Sequence, residues 1–378
     1  MKSVQQKQRL LSTAPKTGSW LGRALTNHKS AVAYLEPVIQ MFKPNWQAQG
    51  FQAAVIERRI ESDLVFTLVL KPEKNWPNFT AGQYIEIQVE INGVRYTRIF
   101  SLSNSPNYYA DSGLIELTIR KQTAGKVTPW LGEHLSVGAV VRISAAQGEF
   151  VLPEETHQPL LFIAGGSGIT PFRSFLHQLA SSNDKKQKLQ DVHLVYYNPS
   201  SSVLFDQEWQ QLAERMPNLQ VSLIDTKVAG RIHGEQLVKV CPDQKNRMAY
   251  VCGPQGLITA SRGILMQLGV NQDDIKHELF GPKPITNLSR KVDGQITFAR
   301  SHSQVKAVAA QQKTLLELAE ESNTNPVSGC RMGVCHQCVC RKKQGMVYNT
   351  LTESYSDTGA EDIQLCISVA VGDVTLDL

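Results

Sequence analysis

Four cysteines near the C-terminal end constrain the fold of this chain more than any other feature. Three of them, Cys330, Cys335 and Cys338, lie in one short segment, and the fourth, Cys366, follows 28 positions later. This C-x4-C-x2-C spacing with one distant partner is typical of a [2Fe–2S] cluster, in which four thiolates converge on two irons. A fold that holds such a cluster has to bring a tight loop and a remote residue together.

Two other uses of these cysteines have to be weighed. Zinc also takes Cys and His ligands, so His336 and the three close cysteines form an alternative metal site. Zinc sites, however, usually combine two close cysteine pairs, which this spacing lacks. Disulfides are typical of small secreted domains. All seven cysteines here lie at or after Cys241, so the sequence shows no disulfide framework spread along the chain. The spacing therefore favours the iron–sulfur cluster, with Cys340 as a small core residue on the strand that leaves the loop.

The length and composition set limits on the rest of the chain. A chain of 378 residues predicts two or three domains, and a hydrophobic content of 42% is normal for a globular protein. No apolar run approaches the roughly 18 residues that a membrane-spanning helix needs, and no signal-peptide pattern opens the chain. We therefore expect a cytoplasmic protein, which a membrane-bound partner would bring to the inner face of the membrane.

The charge is distributed unevenly along the chain. From Ile296 to the end, seven Lys and Arg face nine Asp and Glu, so this segment carries −2 and the remainder +7 of the net +5. Ordinary solvated surface explains this distribution, because the positive excess is not concentrated in one run. The alternative is a basic body that approaches anionic lipid or an acidic partner.

Residues from about 51 to 153 contain short β-rich runs that alternate with turns, which predicts a small antiparallel barrel. Within this region lies the sequence Arg98-Ile-Phe100-Ser101. An arginine can bind a phosphate, an aromatic ring can stack on a flat heterocycle, and a hydroxyl can bond to its ring. Taken alone, this tetrapeptide favours an ordinary sheet surface over a flavin site, because an arginine next to an aromatic residue on a strand usually belongs to such a surface.

Residues 154–285 alternate between strand and helix patterns. The apolar run Leu160–Ala164 is typical of a strand buried in a parallel sheet. It ends in the glycine-rich segment Gly165–Pro171, and a helix is predicted from Phe172. A strand, a glycine-rich turn and a helix N-terminus favour phosphate binding, because free N–H groups and the helix dipole both attract an anion. A later predicted strand ends in Cys252-Gly253-Pro254.

The order of these motifs resembles the ferredoxin–NADP reductase family over about residues 50–285. That family joins an R-x-[YF]-S flavin barrel to a nucleotide domain with G-G-x-G-[IT]-x-P and C-G-P motifs. The resemblance implies FAD and a nicotinamide nucleotide as cofactors. It implies FAD contacts at Arg98, Phe100, Ser101, Gly125, Lys126, Val127 and Thr128, and nucleotide contacts at Gly166, Gly168, Thr170, Pro171 and Gly253. It also implies a catalytic position beside the nicotinamide for Cys252, whose alternative is a small buried residue at a strand end.

The choice between NADPH and NADH depends on a short segment after another predicted strand. Thr226, Lys227 and Arg231 lie where the family often binds the 2′-phosphate. One hydroxyl and two cations favour NADPH by charge complementarity. Asp225 would repel a phosphate, so NADH stays open as the alternative.

The segment from about Gln295 to Leu378 resembles a plant-type ferredoxin domain, which implies a β-grasp fold with Cys330, Cys335, Cys338 and Cys366 as cluster ligands. The predicted organisation is multidomain. It comprises an N-terminal extension (1–49), an antiparallel β-barrel FAD domain (50–153), an α/β NAD(P)-binding domain (154–285), a linker (286–294) and an α+β ferredoxin domain (295–378).

This order of domains implies an NAD(P)H-dependent oxidoreductase that passes electrons through FAD and the cluster to an oxygenase. Overall similarity, including the N-terminal extension and residues 42–46, is to reductases that serve bacterial fatty-acyl desaturases, which are membrane-bound di-iron enzymes. A soluble Rieske-type or other oxygenase is the alternative acceptor. A non-catalytic redox sensor or zinc-bearing binding module is the alternative from another class. We expect no nucleic-acid partner and no transmembrane segment, and we expect His336 to lie at the surface where electrons leave.

The ligand assignment predicts how cysteine substitutions will behave. Replacing Cys330, Cys335, Cys338 or Cys366 by Ser removes a thiolate from the cluster, so each variant should lose or destabilise it. Cys340→Ser is the matched control and should retain it. Iron analysis and EPR spectra of the reduced proteins measure both results. Full cluster retention in the Cys366 variant would contradict the assignment.

Overall fold

The computed structural model describes residues 50–91, 94–123, 125–153, 158–181, 190–280, 292–308, 311 and 313–378. Three sheets follow one another along this part of the chain, and residues 52–378 form one compact unit. The predicted N-terminal extension and most of the predicted linker lie outside the described residues. No helix in the described ranges is both long and apolar enough to cross a bilayer.

The first sheet has six strands in the order β4-β3-β6-β1-β2-β5. Its strands are β1 (Phe51–Ser62), β2 (Val65–Pro72), β3 (Tyr84–Ile91), β4 (Val94–Ser101), β5 (Ile115–Arg120) and β6 (Val140–Ile143), and its helices are α1 (Pro106–Ser112) and α2 (Val127–His134). The N–H of Ser103, just beyond β4, donates to the carbonyl of Glu116 in β5 at 2.9 Å. This contact joins the two edge strands, and the predicted antiparallel architecture is confirmed.

The second sheet has five parallel strands in the order β11-β10-β7-β8-β9. Its strands are β7 (Leu160–Gly165), β8 (Val192–Asn198), β9 (Leu219–Asp225), β10 (Met248–Gly253) and β11 (Ile275–Leu279), and its helices are α3 (Thr170–Ser181), α4 (Asp206–Arg215), α5 (Gly234–Val240) and α6 (Gln255–Gln267). Strands β7 and β8 are buried at every position, as expected for a parallel sheet covered on both faces.

Helix α3 begins earlier than the sequence pattern predicts. A 3₁₀ turn spans Gly166–Ile169, and the helix starts at Thr170 rather than at Phe172. Pro171 therefore lies in the first turn, where its missing N–H would have no intrahelical partner in any case. The glycine-rich segment thus leads into the helix without an intervening loop.

One face of the second sheet shares its core with the first domain. The rings of Phe162 and Phe172 stack with centroids 4.9 Å apart, and the same cluster includes Val65, Ala81 and Phe150 of the first domain. Burial of these side chains is favourable only while the two domains stay together. The shared core therefore fixes the barrel against the nucleotide-binding sheet.

The third sheet is mixed, with one helix packed on it, in the predicted β-grasp arrangement. Its strands are β12 (Gly294–Phe298), β13 (Ser303–Ala307), β14 (Val339–Asn349), β15 (Ser354–Tyr355), β16 (Glu361–Gln364) and β17 (Ser368–Leu376), and its helix is α7 (Leu315–Glu321). Strands β12 and β17 are parallel. A capping box between Thr314 and Glu317 begins α7 by satisfying two N–H groups that have no intrahelical partner.

Candidate redox site

The register of one strand pair brings the four cysteines together. Strands β14 and β16 are antiparallel, with Val339 opposite Gln364. The N–H of Leu365 continues this ladder by donating to the carbonyl of Cys338 at 3.1 Å. Cys366 therefore lies beside the end of the loop that carries the other three cysteines.

The loop also directs backbone N–H groups at sulfur. The Sγ atom of Cys330 accepts N–H groups of Met332, Val334 and Cys335 at 3.3–3.4 Å. The N–H of Cys330 in turn donates to Sγ of Cys335 at 3.2 Å. Such hydrogen bonds stabilise thiolates and tune the potential of a bound cluster.

The thiols form two pairs, which suits two irons. A hydrogen bond from the Cys335 thiol, together with the backbone N–H groups, lowers the pKa of Cys330. A hydrogen bond from the Cys366 thiol lowers the pKa of Cys338 in the same way. In the described part of the chain, no three His, Cys, Asp or Glu side chains are grouped around a single metal position. Two thiol pairs with sulfur-directed N–H groups fit a [2Fe–2S] cluster.

Cys340 is set apart from these pairs. It lies on β14, is 6% exposed, and packs in the core of the third sheet. Burial raises the pKa of its thiol to about 11. A buried thiol whose pKa is raised in this way is chemically inert, as expected for a core residue.

The predicted flavin motif lies on β4, next to the cluster loop. Ser101 is opposite Tyr84 of β3, and Phe100 is partly exposed. The guanidinium of Arg98 donates through Nη1 to the carbonyls of Thr97 at 2.8 Å and Gly329 at 3.1 Å. Burial lowers the pKa of Arg98 to about 10, with a further contribution from a nearby arginine. The structure therefore places Arg98 between the barrel and the cluster loop.

The predicted pyrophosphate segment forms the start of α2. Lys126 is the residue before the helix and Val127 is its first residue. The Thr128 hydroxyl accepts the N–H of Gln122 at 2.8 Å, which closes the turn that contains Gly125. The first-turn N–H groups have no intrahelical partner and suit an anionic group.

Close packing at the predicted nucleotide loop requires glycine. A Cβ on Gly168 would lie 2.4 Å from the carbonyl oxygen of Cys252, and one on Gly253 would lie 3.0 Å from the carbonyl oxygen of Gly165. Gly166 has φ +56°, in the left-handed region, and its carbonyl accepts the Tyr196 hydroxyl at 3.0 Å. The structure thus brings together the glycine-rich turn, the C-G-P segment and the start of α3 with Thr170 and Pro171.

Cys252 faces a carboxylate that the sequence motifs do not identify. It is fully buried on β10 and lies opposite Glu278 of β11 in the parallel register. Burial raises the pKa of the Cys252 thiol, and Glu278 raises it further. The Ser101 hydroxyl donates to Oε2 of Glu278 at 3.4 Å. Residues from the barrel and from two strands of the second sheet therefore meet at this point.

Glu278 keeps some accessible surface, yet the protein encloses its carboxyl group. Burial raises the pKa of Glu278 from its ordinary value of 4.5 to about 8, and the hydrogen bond from Ser101 partly offsets this rise. A carboxyl group with so high a pKa holds its proton at neutral pH. Glu278 lies in β11, the last strand of the second sheet along the chain, and none of the motifs described above surrounds it. Only the three-dimensional structure, in which its carboxyl group has a perturbed pKa, identifies it as a candidate site residue.

The residues predicted to choose the nucleotide lie at the end of β9. The N–H of Thr226 donates to the carbonyl of Asn198 at 3.2 Å, and Lys227 Nζ lies 3.5 Å from the Ser201 hydroxyl. A hydrogen bond from Ser200 and the N–H of Lys227 lower the pKa of Asp225. Arg231 is exposed a few residues further along. The structure therefore groups Thr226 and Lys227 around the Ser200–Ser202 turn, with Arg231 beyond it.

Three family models match successive parts of the chain. They are an oxidoreductase FAD-binding domain over residues 53–152, an oxidoreductase NAD-binding domain over residues 162–263, and a 2Fe-2S iron-sulfur cluster binding domain over residues 299–371. The predicted cofactor classes are confirmed by these matches.

Two relatives match two thirds or more of this chain. An NADPH oxidoreductase of Mycobacterium tuberculosis is 30% identical over 341 residues, which cover 90% of this chain and 87% of the relative. A flavohemoprotein of Bacillus anthracis is 29% identical over 280 residues, or 67% of each chain.

The structure of phthalate dioxygenase reductase is described as a modular structure for electron transfer from pyridine nucleotides to [2Fe-2S]. It is 21% identical, covers 87% of this chain and 98% of that chain, and has a TM-score of 0.62. At this identity the likeness shows the fold alone. Together with the family models and the 30% identical relative, the fold assigns the chain to a family: it belongs to the oxidoreductases that transfer electrons from NAD(P)H through FAD to a C-terminal [2Fe–2S] domain.

Proposed function

We propose that this reductase delivers single electrons to a membrane-bound di-iron fatty-acyl desaturase. The observation that carries the electron path is the contact between the flavin motif and the cluster loop, where Arg98 bonds to the carbonyl of Gly329 at 3.1 Å. The same loop exposes Val334 and His336. We propose that the acceptor approaches the cluster at these exposed residues.

When bound, the nucleotide would supply two electrons as a hydride, FAD would accept two electrons and release them one at a time, and the cluster would carry one electron. The residues of the chain bind and orient these groups. We propose the FAD contacts at Arg98, Phe100, Ser101 and Gly125–Thr128. We propose the nucleotide contacts at Gly166, Gly168, Thr170, Pro171 and Gly253, with the domain boundaries predicted above.

Glu278 and Ser101 have a proton-holding role in this proposal. At pH 7 the Glu278 carboxyl group is protonated, because its pKa is about 8. A neutral carboxyl beside the Ser101 hydroxyl keeps a negative charge away from the place where hydride, itself negative, arrives. Cys252 packs against this strand from β10 and excludes water from the same place.

The raised pKa of Glu278 predicts a pH dependence. As the pH rises through about 8, the carboxyl group ionises and flavin reduction by NADPH should slow. Glu278→Gln is neutral at every pH and should remove this step from the pH profile. Stopped-flow measurement of flavin reduction between pH 6 and 10 is the test, with the exposed Asp273→Asn as control.

The raised pKa of Glu278 also makes the free energy of unfolding depend on pH. A carboxyl group with a raised folded pKa contributes stability that is present below its unfolded pKa and lost as pH rises from about 4.5 to about 8. Glu278→Gln should therefore flatten the fall in unfolding free energy over this range. A Gln variant that keeps both the step in flavin reduction near pH 8 and the fall in unfolding free energy between about pH 4.5 and 8 would contradict the assignment.

We propose NADPH as the preferred nucleotide. The exposed cations Lys227 and Arg231 suit a 2′-phosphate. Asp225 is already engaged by the Ser200 hydroxyl and the Lys227 N–H, which draws its carboxylate toward the chain. The name of the similar NADPH oxidoreductase supports the same choice.

The nucleotide assignment predicts a selective loss of affinity. Lys227→Ala and Arg231→Ala each remove a charge-assisted phosphate contact, so KM for NADPH should rise about tenfold. KM for NADH should stay nearly unchanged, because NADH lacks the phosphate. Lys239→Ala, at an exposed lysine of α5, is the control. Equal changes with both nucleotides would assign these residues to general binding.

The desaturase assignment has its own support. The chain resembles reductases that serve bacterial desaturases, and the residues before Ile296 carry +7 against −2 in the remainder. A basic body favours a position near anionic lipid. A soluble oxygenase is the second candidate, because the fold is also that of phthalate dioxygenase reductase.

Reconstitution tests the acceptor. The complete assay contains this protein, NADPH, oxygen and membranes with a candidate desaturase, and gas chromatography measures the unsaturated product. We expect product only when the reductase is present. The yield should fall at high salt, because transient redox contacts are small and screened. Turnover of a soluble oxygenase, without reductase-dependent desaturation, would favour the second candidate.

A further inference from the structure

We infer that Glu86 and Gln337 form a positioning pair that holds the cluster domain against the flavin barrel for electron transfer. The inference rests on the path from flavin to cluster and not on the identity of the final acceptor. Glu86 belongs to no sequence motif described above, and Gln337 is one of the two residues between the second and third cysteines of the cluster motif. The pair joins two domains through side chains that are 251 positions apart in the chain.

The contact links the cluster loop directly to a barrel strand. Gln337 lies between the proposed ligands Cys335 and Cys338, and its Nε2 donates to Oε2 of Glu86 at 2.8 Å. Glu86 belongs to β3, an inner strand of the first sheet. A hydrogen bond to a charged acceptor is stronger than one between neutral groups. The pair therefore fixes the loop at the position where the ligands are attached.

The barrel side of the contact is rigid. The N–H of Glu86 donates to the Ser144 hydroxyl at 2.9 Å, and the carbonyl of Glu86 accepts the N–H of Ser144 at 3.0 Å. The N–H and the carbonyl of Glu86 are thus both held by Ser144, in the segment that follows β6. A carboxylate presented from such a strand has little freedom to follow a displaced partner.

A second contact clamps the same part of the loop. Arg98, on β4 opposite Ile87 of β3, binds the carbonyl of Gly329 at 3.1 Å. A Cβ on Gly329 would lie 2.8 Å from Oε1 of Gln337 and 2.6 Å from Sγ of Cys335. Gln337 therefore packs on Gly329, and both barrel contacts act on one packed unit that includes a ligand sulfur.

The role of the pair is positional, because neither side chain contacts a ligand sulfur through a hydrogen bond in the described contacts. Small displacements of reacting centres lower rates steeply. Loss of the pair should therefore slow electron transfer from flavin to cluster, while hydride transfer within the first two domains continues.

Two single substitutions break the pair in different ways. Glu86→Ala removes the acceptor, and Gln337→Glu sets two carboxylates against each other. In each variant the rate of cluster reduction after mixing with NADPH should fall about tenfold, as expected for the loss of a hydrogen bond to a charged group. The rate of flavin reduction, measured in the same stopped-flow traces, should change less than twofold.

A charge swap provides the rescue. In the double variant Glu86→Gln with Gln337→Glu, the amide donor and the carboxylate exchange sides, so the hydrogen bond can form again with the same net charge. Cluster reduction should recover to within a few fold of the unsubstituted rate. Glu90→Gln, at an exposed position four residues along β3, is the matched control and should behave as the unsubstituted protein.

Two readouts do not depend on turnover. Hydrogen exchange of the loop and of β3 should increase in both single variants and return in the double variant. The midpoint potential of the cluster is measured by redox titration. It distinguishes a cluster that is misplaced relative to the flavin from one whose driving force for reduction has changed. Because Glu86→Ala removes a negative charge beside the loop, the potential should stay the same or rise, and slower transfer in spite of this is the expected result.

Several results would overturn the inference. They are unchanged cluster reduction in both single variants with full flavin and cluster content, an equal loss of flavin reduction, or no recovery in the double variant. Failure of NADPH to reduce the cluster in the unsubstituted protein would instead overturn the electron path itself. That result is distinguishable, because it appears without any substitution.

Discussion

The antiparallel register of β14 and β16 is the constraint on which the redox site depends. The N–H of Leu365 bonds to the carbonyl of Cys338 at 3.1 Å, which aligns the turn of Cys366 with the end of the cysteine loop. A slip of one residue would turn the side chains to the other face of the sheet. Backbone pairing, rather than the cysteines themselves, therefore decides whether four thiols can meet.

The relation between barrel and nucleotide domain depends on a second kind of interaction, a shared core with a buried ion network. Arg173 of α3 donates to Glu116 of β5 at 2.6 Å, to the carbonyl of Ser103 at 3.2 Å, and to Glu208 of α4 at 2.7 Å. A largely buried guanidinium is tolerated only when its donors are satisfied, and separating the domains would remove its contacts with Glu116 and Ser103 while leaving only the one with Glu208. This network and the aromatic core around Phe150 together fix the place where Ser101 meets Glu278.

Burial by the surrounding protein sets the pKa values of the ionisable groups in the site. Burial raises the pKa of Glu278 to about 8 and lowers that of Arg98 to about 10. Both residues lie where the barrel meets another domain. The assembly of domains thus sets the charge states, and the same contacts set the distances between the proposed cofactor positions.

The sequence by itself determined the order of the domains, the cofactor classes and the fold class. These follow from local patterns, namely the spacing of cysteines, the glycine-rich turn after an apolar strand and strand runs with regular turns, and from the families that these patterns resemble. The apolar run from Leu160 forms β7 as predicted. The helix after it begins two residues before the predicted start. Pro171 fits the first turn of this helix, α3, because proline lacks an N–H. Local patterns are readable because the residues that make them are neighbours in the chain.

The tertiary structure alone decided which distant residues meet. Glu278 carries no motif, and its contact with Ser101 spans 177 positions. Glu86 and Gln337 are separated still further, and the contact of Arg98 with Gly329 exists only because two domains pack together. No periodicity records such pairs, since their partners are fixed by strand order, register and domain packing. The sequence determined which groups the protein binds, and the fold decided how they are held beside one another.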